Sequence, residues 1–208
     1  MTRIKICGIT KPEDGAFAAR AGAEAVGVVF YPPSPRAVTL EQARAVSDAL
    51  PPFTSLVALF VNPSVAEVEQ ALKTLPISLL QFHGDESPAF CEQFDRPYMK
   101  AVRVRGPDTV TSAFDHYDGA NGLLLDAYVK DQYGGTGQPF NWDWIPRERP
   151  LPVVLAGGLT SDNVAGAVRA VRPWAVDVSG GVEASKGIKD PDKIRQFINE
   201  VRSVVETD

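Results

Sequence analysis

The sequence is poor in the residues that build metal centres and redox sites. It contains two cysteines, Cys7 and Cys91, and two histidines in 208 residues. Two cysteines are too few for a disulfide framework, and neither a CxxC pair nor an HExxH motif occurs. A structural or catalytic zinc site is therefore not expected.

Long hydrophobic runs and dense basic stretches are also missing. No run of about 18 apolar residues occurs, so a membrane span is not expected. The first residues carry charge but no apolar stretch, which argues against a signal peptide. The net charge of −5 and the absence of a Lys/Arg run argue against a nucleic-acid binder. The simplest expected location is the cytoplasm.

What the sequence does contain is a repeated alternation of short apolar runs and longer amphipathic stretches. Eight apolar runs predict strands, over residues 3–8, 25–30, 54–61, 78–83, 98–104, 122–127, 152–156 and 175–179. Helix-like stretches follow them, most clearly over residues 11–21, 40–49, 64–75 and 190–205. Strands that alternate with helices indicate parallel βαβ units.

Eight such units favour an α/β protein with a closed (β/α)₈ barrel, the TIM barrel, at the compact end of its size range. A doubly wound open sheet is the alternative, but no GxGxxG motif follows the first strand. No linker or change in composition marks a boundary, so residues 1–208 are expected to form a single catalytic domain.

Special residues cluster at the predicted strand ends, where barrels of this kind carry their chemistry. They are Cys7, His83, Asp126, the pair Gly157-Gly158 and the pair Gly180-Gly181. Because the carboxyl ends of parallel strands meet on one face of a barrel, these residues are expected to surround one site.

The sequence allows two interpretations of Cys7, a buried packing residue or a catalytic base. A free cysteine is most often a small buried hydrophobe, and Cys91 in PAFCEQF is interpreted in that way. In the first strand Lys5 and Cys7 share one face and are expected to point into the barrel, while Ile4 and Ile6 point outward. A cation at Lys5 favours the thiolate, which a base requires.

Asp126 shares a strand face with Leu124, so it too is expected to point into the barrel mouth. Burial among leucines favours the protonated carboxyl, which can donate, whereas a lysine neighbour would favour the carboxylate. A cysteine base and a carboxylic acid across one cavity would form a general acid–base pair. His83 either orients substrate or closes a turn.

The two glycine pairs predict a phosphate site. Glycine lets the backbone approach a ligand closely, and consecutive N–H groups before a helix bind anions. The loops after strands 7 and 8 are where barrels commonly hold phosphate. The alternative interpretation is that the glycine pairs only allow tight turns.

Arg36 lies in YPPSPRAV, a loop that three prolines stiffen. A planar guanidinium held in place suits a carboxylate, although a single arginine is more often a solvated surface group. The glycine-rich stretch 130–140 is either a mobile lid or a flexible surface loop.

These motifs together resemble the phosphoribosylanthranilate isomerase family of tryptophan biosynthesis. The resemblance rests on KICGIT, FYPPSPRAV, LLQFHGDE, LLLDAYV with YGGTGQPFNWD, VVLAGGLTSDNV, and AVDVSGGVE with GIKD. The motifs occur in the family's order over essentially the whole chain. Asn141 replaces an Asp that is commoner in relatives, and SGG at 179–181 reads SSG in many of them.

The resemblance implies a (β/α)₈ barrel with no cofactor and no metal that performs an Amadori rearrangement. It implies that Cys7 is the general base and Asp126 the general acid. Arg36 would hold the anthranilate carboxylate and Asp177 the ribose hydroxyls. Backbone amides near Gly158, Gly180 and Gly181 would hold the phosphate.

Two other functions remain open from the sequence. The chain could isomerise the chemically equivalent aminoaldose of histidine biosynthesis, although enzymes of that pathway carry a carboxylate where Cys7 stands. It could also be a non-catalytic sensor of a phosphorylated ligand, which would need neither Cys7 nor Asp126. The expected partner is a phosphorylated small molecule, with no nucleic acid and no membrane, and the chain is expected to be a monomer or a homodimer.

Overall fold

The computed structural model describes residues 1–127 and 140–204 and contains a closed barrel of eight parallel strands. The strands follow one another in chain order around the barrel. The first strand pairs with the second on one side and with the eighth on the other, where Lys5 lies opposite Asp177. The (β/α)₈ barrel expected from the alternating pattern is therefore confirmed.

The secondary structure agrees closely with the sequence pattern. The barrel strands are β1 Arg3–Ile6, β2 Ala25–Phe30, β3 Ser55–Phe60, β4 Leu79–Phe82, β5 Tyr98–Val104, β6 Leu123–Ala127, β7 Val153–Leu155 and β8 Ala175–Val178. A small antiparallel pair, β9 Glu183–Ser185 and β10 Ile188–Lys189, follows them. The α-helices are α1 Pro12–Ala21, α2 Leu40–Asp48, α3 Val65–Thr74, α4 Pro88–Glu92, α5 Pro107–His116, α6 Ser161–Val171 and α7 Pro191–Ser203.

The connection between β6 and β7 differs from the expected helix. Where it is described, from residue 140 onward, it contains a 3₁₀ helix, Trp142–Trp144. Asn141 caps this helix, because its side chain accepts a hydrogen bond from the backbone N–H of Asp143. The Asn141 substitution noted in the sequence therefore preserves a cap.

The packing follows the two-residue period of the strands. Ile4 and Ile6 face the helices and belong to the large core between barrel and helices. Lys5 and Cys7 alternate with them, point into the barrel and are almost completely buried, as the period predicts. Cys91 is fully buried in the outer core, which confirms its structural role.

Within the barrel, apolar side chains form a second cluster beneath part of the mouth. It comprises Met99, Ala101, Leu124, Val154, Ala156 and Ala175. Leu124 lies two residues before Asp126 on the same strand face, so Asp126 occupies the next layer toward the mouth. None of the helices in residues 1–127 and 140–204 has the length and apolar character needed to cross a bilayer.

Candidate active site

One cavity of about 270 Å³ opens at the carboxyl ends of the strands. All nine site residues expected from the sequence line it: Cys7, Arg36, His83, Asp126, Gly157, Gly158, Asp177, Gly180 and Gly181. Apolar walls come from residues such as Val29, Leu59 and Leu159. The fold therefore brings together residues that are spread over most of the chain.

Cys7 follows β1 and belongs to a buried charged group. Its backbone N–H donates to the carbonyl of Val178 at 2.8 Å, which fixes it beside β8. Lys5 lies below it and donates from Nζ to Asp177 Oδ1 at 2.8 Å. Burial lowers the pKa of Lys5, but Asp177 and Cys7 outweigh burial and raise it, so the ammonium group stays charged.

Burial favours the protonated form of the Cys7 thiol. Burial raises its pKa above the usual value, and the attraction of Lys5, which lowers it, compensates only in part. Lys5 therefore has the effect that the sequence suggested, but burial is stronger. A base at Cys7 has to be generated by loss of this proton.

Gly27 in the middle of β2 provides the space for this group. A Cβ atom at Gly27 would lie 2.9 Å from Cys7 Sγ and 3.1 Å from Lys5 Cε. Sequence reasoning did not identify Gly27, although a glycine inside an apolar strand often marks a close approach.

Asp126 near the end of β6 faces the cavity from another wall. Its Oδ1 accepts a hydrogen bond from the backbone N–H of Ala127 at 2.8 Å. Its Oδ2 lies 3.3 Å from Nε2 of His83, at the end of β4. Gly157, with a φ of +83°, leaves room for the carboxyl, because a Cβ there would lie 2.9 Å from Asp126 Oδ1.

Sequence reasoning missed Gln81, which lies two residues before His83 on the same face of β4. It is 0% exposed, and its amide Nε2 lies 3.1 Å from Nδ1 of His83. The LLQF strand gave a possible signal, because a polar residue interrupts an otherwise apolar run.

Arg36 is held by a second residue that the sequence did not identify, Glu183. Nε and Nη2 of Arg36 donate to the two carboxylate oxygens of Glu183 at 2.7 and 2.8 Å. Lys189 donates to the same carboxylate at 3.0 Å and to the carbonyl of Ser179 at 3.0 Å. Burial alone would raise the pKa of Glu183, but Arg36 and Lys189 lower it and keep the carboxylate ionised.

This bidentate contact uses one edge of the guanidinium. Nη1 of Arg36 makes no hydrogen bond within the part of the chain that the structure describes. The Arg36 stem passes close to Gly8, where a Cβ would lie 2.5 Å from Arg36 Cδ. Arg36 therefore lines the cavity in one fixed orientation, with an edge left for a carboxylate.

The two glycine pairs lie side by side at the cavity, the first in a turn after β7 and the second in a 3₁₀ helix, Gly180–Val182, after β8. Gly157 and Gly158 have φ angles of +83° and +65°, a region that favours glycine. A Cβ at Gly181 would lie 2.0 Å from the carbonyl oxygen of Leu159, so the turns after β7 and β8 touch. Helix α6 begins shortly after the first pair, with Thr160 as its cap.

The roles assigned to these residues from the sequence remain predictions, whereas their position around one cavity is a feature of the fold. The suggested lid at 130–140 lies almost entirely outside the described residues. Asp177 lines the cavity, but one of its oxygens is already bound by Lys5.

Comparison with known proteins identifies the family. Residues 4–200 match the family model described as N-(5'phosphoribosyl)anthranilate (PRA) isomerase. A curated N-(5'-phosphoribosyl)anthranilate isomerase from Pseudomonas fluorescens strain Pf0-1 is 58% identical over 200 residues, covering 96% of this chain and 98% of the relative.

Solved structures agree. The phosphoribosyl anthranilate isomerase from Thermotoga maritima superposes with a TM-score of 0.88 at 38% identity, covering 98% of this chain and 100% of its own. A phosphoribosyl anthranilate isomerase in complex with reduced 1-(o-carboxyphenylamino)-1-deoxyribulose 5-phosphate gives a TM-score of 0.84 at 37% identity, with the same coverage. The chain therefore belongs to the phosphoribosylanthranilate isomerase family.

Proposed function

We propose that this chain converts N-(5'-phosphoribosyl)anthranilate into 1-(2-carboxyphenylamino)-1-deoxyribulose 5-phosphate in tryptophan biosynthesis. The observation that carries the proposal is the arrangement of Cys7 and Asp126 around one cavity, in a chain of this family. The same cavity offers Arg36 and two glycine turns, which suit the carboxylate and the phosphate of that substrate.

The first step is opening of the ribose ring. Asp126 gives its proton to the ring oxygen, the bond between that oxygen and C1' breaks, and the anilino nitrogen lone pair forms a protonated imine. The carboxylate left on Asp126 accepts a hydrogen bond from the backbone N–H of Ala127, and Nε2 of His83 lies 3.3 Å from its Oδ2. A buried carboxyl group suits this task, because its protonated form can donate directly into the cavity.

The second step forms the enolamine. The Cys7 thiolate removes the proton from C2', and the C2'–H electrons form the C1'=C2' double bond while the imine nitrogen recovers its lone pair. Cys7 then returns a proton to C1', and the C2' hydroxyl gives its proton to the Asp126 carboxylate as the ketone forms, so that both groups regain their starting states. Lys5 assists because a cation below Cys7 favours the thiolate.

The remaining residues hold the substrate. Nη1 and Nη2 of Arg36 suit the anthranilate carboxylate, and Oδ2 of Asp177, which Lys5 does not bind, suits a ribose hydroxyl. The turn at Gly157-Gly158 suits the phosphate, since it precedes α6 and backbone N–H groups before a helix attract anions. Gly180-Gly181 lie beside this turn at the same cavity and are proposed to complete the phosphate site. His83 lines the cavity, as the expected contact with substrate requires. Its position 3.3 Å from Asp126 also supports a role beside the acid.

The test is turnover of phosphoribosylanthranilate generated in situ, followed by loss of anthranilate-type fluorescence in buffer with EDTA. We expect turnover that EDTA leaves unchanged, because the proposed steps use only protein groups. No turnover by the folded wild-type chain would contradict the proposal, and the aminoaldose of histidine biosynthesis would then be assayed.

We also propose that residues 1–208 act as one catalytic domain in the cytoplasm, as a monomer or a homodimer. The substrate partner is a phosphorylated small molecule, and neither nucleic acid nor membrane takes part. Sedimentation equilibrium of the purified chain over a range of concentrations would decide between the two oligomeric states, since the measured mass is that of one chain for a monomer and of two for a dimer.

A further inference from the structure

Three side chains form a line from the barrel interior to the proposed acid. Gln81 and His83 share the inward face of β4, and Gln81 is the deeper of the two. The amide Nε2 of Gln81 lies 3.1 Å from His83 Nδ1, and His83 Nε2 lies 3.3 Å from Asp126 Oδ2. All three residues are buried.

The chemistry of the amide decides which ring nitrogen carries the proton. An amide nitrogen only donates hydrogen bonds, so His83 Nδ1 has to accept and therefore carries no proton. The proton of the neutral ring then lies on Nε2, which faces the carboxyl of Asp126.

The rest of the environment supports this orientation of Gln81. Its Oε1 is buried without a hydrogen-bond partner in the described part of the chain. A turned amide would place Oε1 on His83 and leave a buried NH₂ group without acceptors. An unpaired buried N–H is rarer in proteins than an under-satisfied carbonyl-type oxygen, which favours the observed orientation.

We propose that Gln81 is a positioning residue that fixes His83 in the Nε2–H tautomer, so that His83 stabilises the carboxylate that forms when Asp126 donates its proton. This inference deepens the proposed function and rests on it. Neither Gln81 nor His83 exchanges a proton with substrate in this scheme.

The arrangement favours the transition state over the resting state. His83 Nε2 lies 3.3 Å from Asp126 Oδ2 and is buried, but it makes no hydrogen bond within the described residues. Negative charge grows on Asp126 as its proton leaves, and the Nε2–H contact then shortens and strengthens. With Nδ1–H instead, the lone pair of Nε2 would face that charge and oppose the step.

The decisive measurement is the tautomer of His83 by long-range ¹H–¹⁵N correlation in protein with labelled histidine. The chain has only two histidines, and the other, His116, is exposed on α5. A His116→Gln variant assigns the spectrum and should keep full activity. We expect a protonated Nε2 and an unprotonated Nδ1 for His83 at neutral pH.

Two variants at Gln81 test the positioning role. Gln81→Glu places an acceptor at Nδ1 and should move a proton there, with kcat lowered about 10- to 100-fold, within the range of acid–base catalysis. KM should change less than about twofold, because substrate contacts remain. Gln81→Met removes the donor without adding an acceptor, so both tautomers should appear and kcat should fall by a smaller factor. Circular dichroism checks that each variant is folded.

The proposal is overturned if wild-type His83 carries its proton on Nδ1, or if Gln81→Glu retains both the wild-type tautomer and the wild-type kcat. Should Gln81→Glu fail to fold, Gln81→Met decides on the same criteria. The wild-type spectrum is independent of turnover, so a wild-type chain that shows the expected tautomer but no activity would contradict the proposed function and not the tautomer.

Discussion

The cavity has two walls that are built in different ways. The base wall surrounds Cys7 and consists of charged pairs: Lys5 with Asp177, and Glu183 with Arg36 and Lys189. The acid wall consists of Gln81, His83 and Asp126, joined by contacts of 3.1 and 3.3 Å. One wall is closed by short ion pairs, and the other by a single line of longer contacts.

The difference follows from what each wall has to do. The base wall keeps a cation beside Cys7, where it opposes in part the rise in the thiol pKa that burial causes, and strong pairing fixes that cation in place. The acid wall has to respond to charge that appears on Asp126 during the reaction, and longer contacts can shorten at that moment. Substitutions in the two walls should therefore have different effects on stability and activity.

The largest effects are expected from removing the reacting group of either wall. Cys7→Ala and Asp126→Asn should each lower kcat about 10²- to 10⁴-fold, because alanine cannot accept the C2' proton and asparagine cannot donate one. Binding of a reduced product analogue, measured by calorimetry, should persist in both. Near-native turnover in either variant would remove that residue from its role.

The next largest effect is expected at Lys5. Lys5→Met leaves Asp177 buried without its partner, so the free energy of unfolding should fall by about 3 kcal/mol. Urea unfolding measures this. The matched control is Lys73→Met, because Lys73 pairs with Glu69 on an exposed helix face and its removal should cost less than about 1 kcal/mol. An equal loss of unfolding free energy in the two variants would show that the buried Lys5–Asp177 pair stabilises the fold no more than an exposed pair does.

The same Lys5→Met variant should change the pH dependence of activity. The pKa of Cys7 is raised by burial, so wild-type kcat should increase with pH as the thiolate forms. Loss of Lys5 removes an attraction that lowers this pKa, which should move the rising limb to higher pH. A limb that stays in place would show that Lys5 does not act on Cys7.

A smaller effect, on affinity, is expected at Glu183. Glu183→Gln keeps the shape but weakens the hold on Arg36, so KM should rise about tenfold while kcat changes less than about threefold. Glu69→Gln on exposed α3 is the control and should alter neither. Removing the carboxylate from the substrate should raise KM by a smaller factor in the Glu183→Gln variant than in wild type. An equal rise in both would show that Glu183 does not act on carboxylate binding.

The smallest effect is expected at Gly27. Gly27→Ala introduces a methyl group 2.9 Å from Cys7 Sγ and should lower kcat about three- to tenfold by displacing the thiol. Gly166→Ala is the matched control, since no atom lies within 4 Å of its added Cβ, and in α6 it should stabilise by about 0.5–1 kcal/mol. Unchanged kcat in Gly27→Ala would show that the thiol has room to move.

The barrel could be predicted from the sequence because its signals are local. Each strand is a short apolar run between helix starts, and eight of them close a barrel. The strand period also placed Lys5, Cys7 and Asp126 on the inner face, where the structure has them. Position at a strand end was enough to select residues that line the cavity.

The partners of these residues could not be predicted, because they depend on distant parts of the chain. Arg36 and Glu183 are 147 residues apart, and no periodicity links them. Whether Lys5 or burial decides the protonation of Cys7 is a balance of opposing effects that only the packed interior fixes. In the sequence Gln81 is one residue of an apolar strand, and its role could be inferred only from the contact between its amide and Nδ1 of His83.

The pair of Lys5 and Asp177 has a consequence for how the molecule is made. The two residues lie 172 positions apart and join the first strand to the last. During synthesis Lys5 leaves the ribosome early, whereas its partner is added only near the end, so the base wall cannot assemble until the ring closes. Bringing such distant segments together is slow and carries a large loop-closure cost. In a refolding experiment, turnover should therefore return later than the circular dichroism signal of the helices. The rate at which activity returns would then measure the rate of barrel closure.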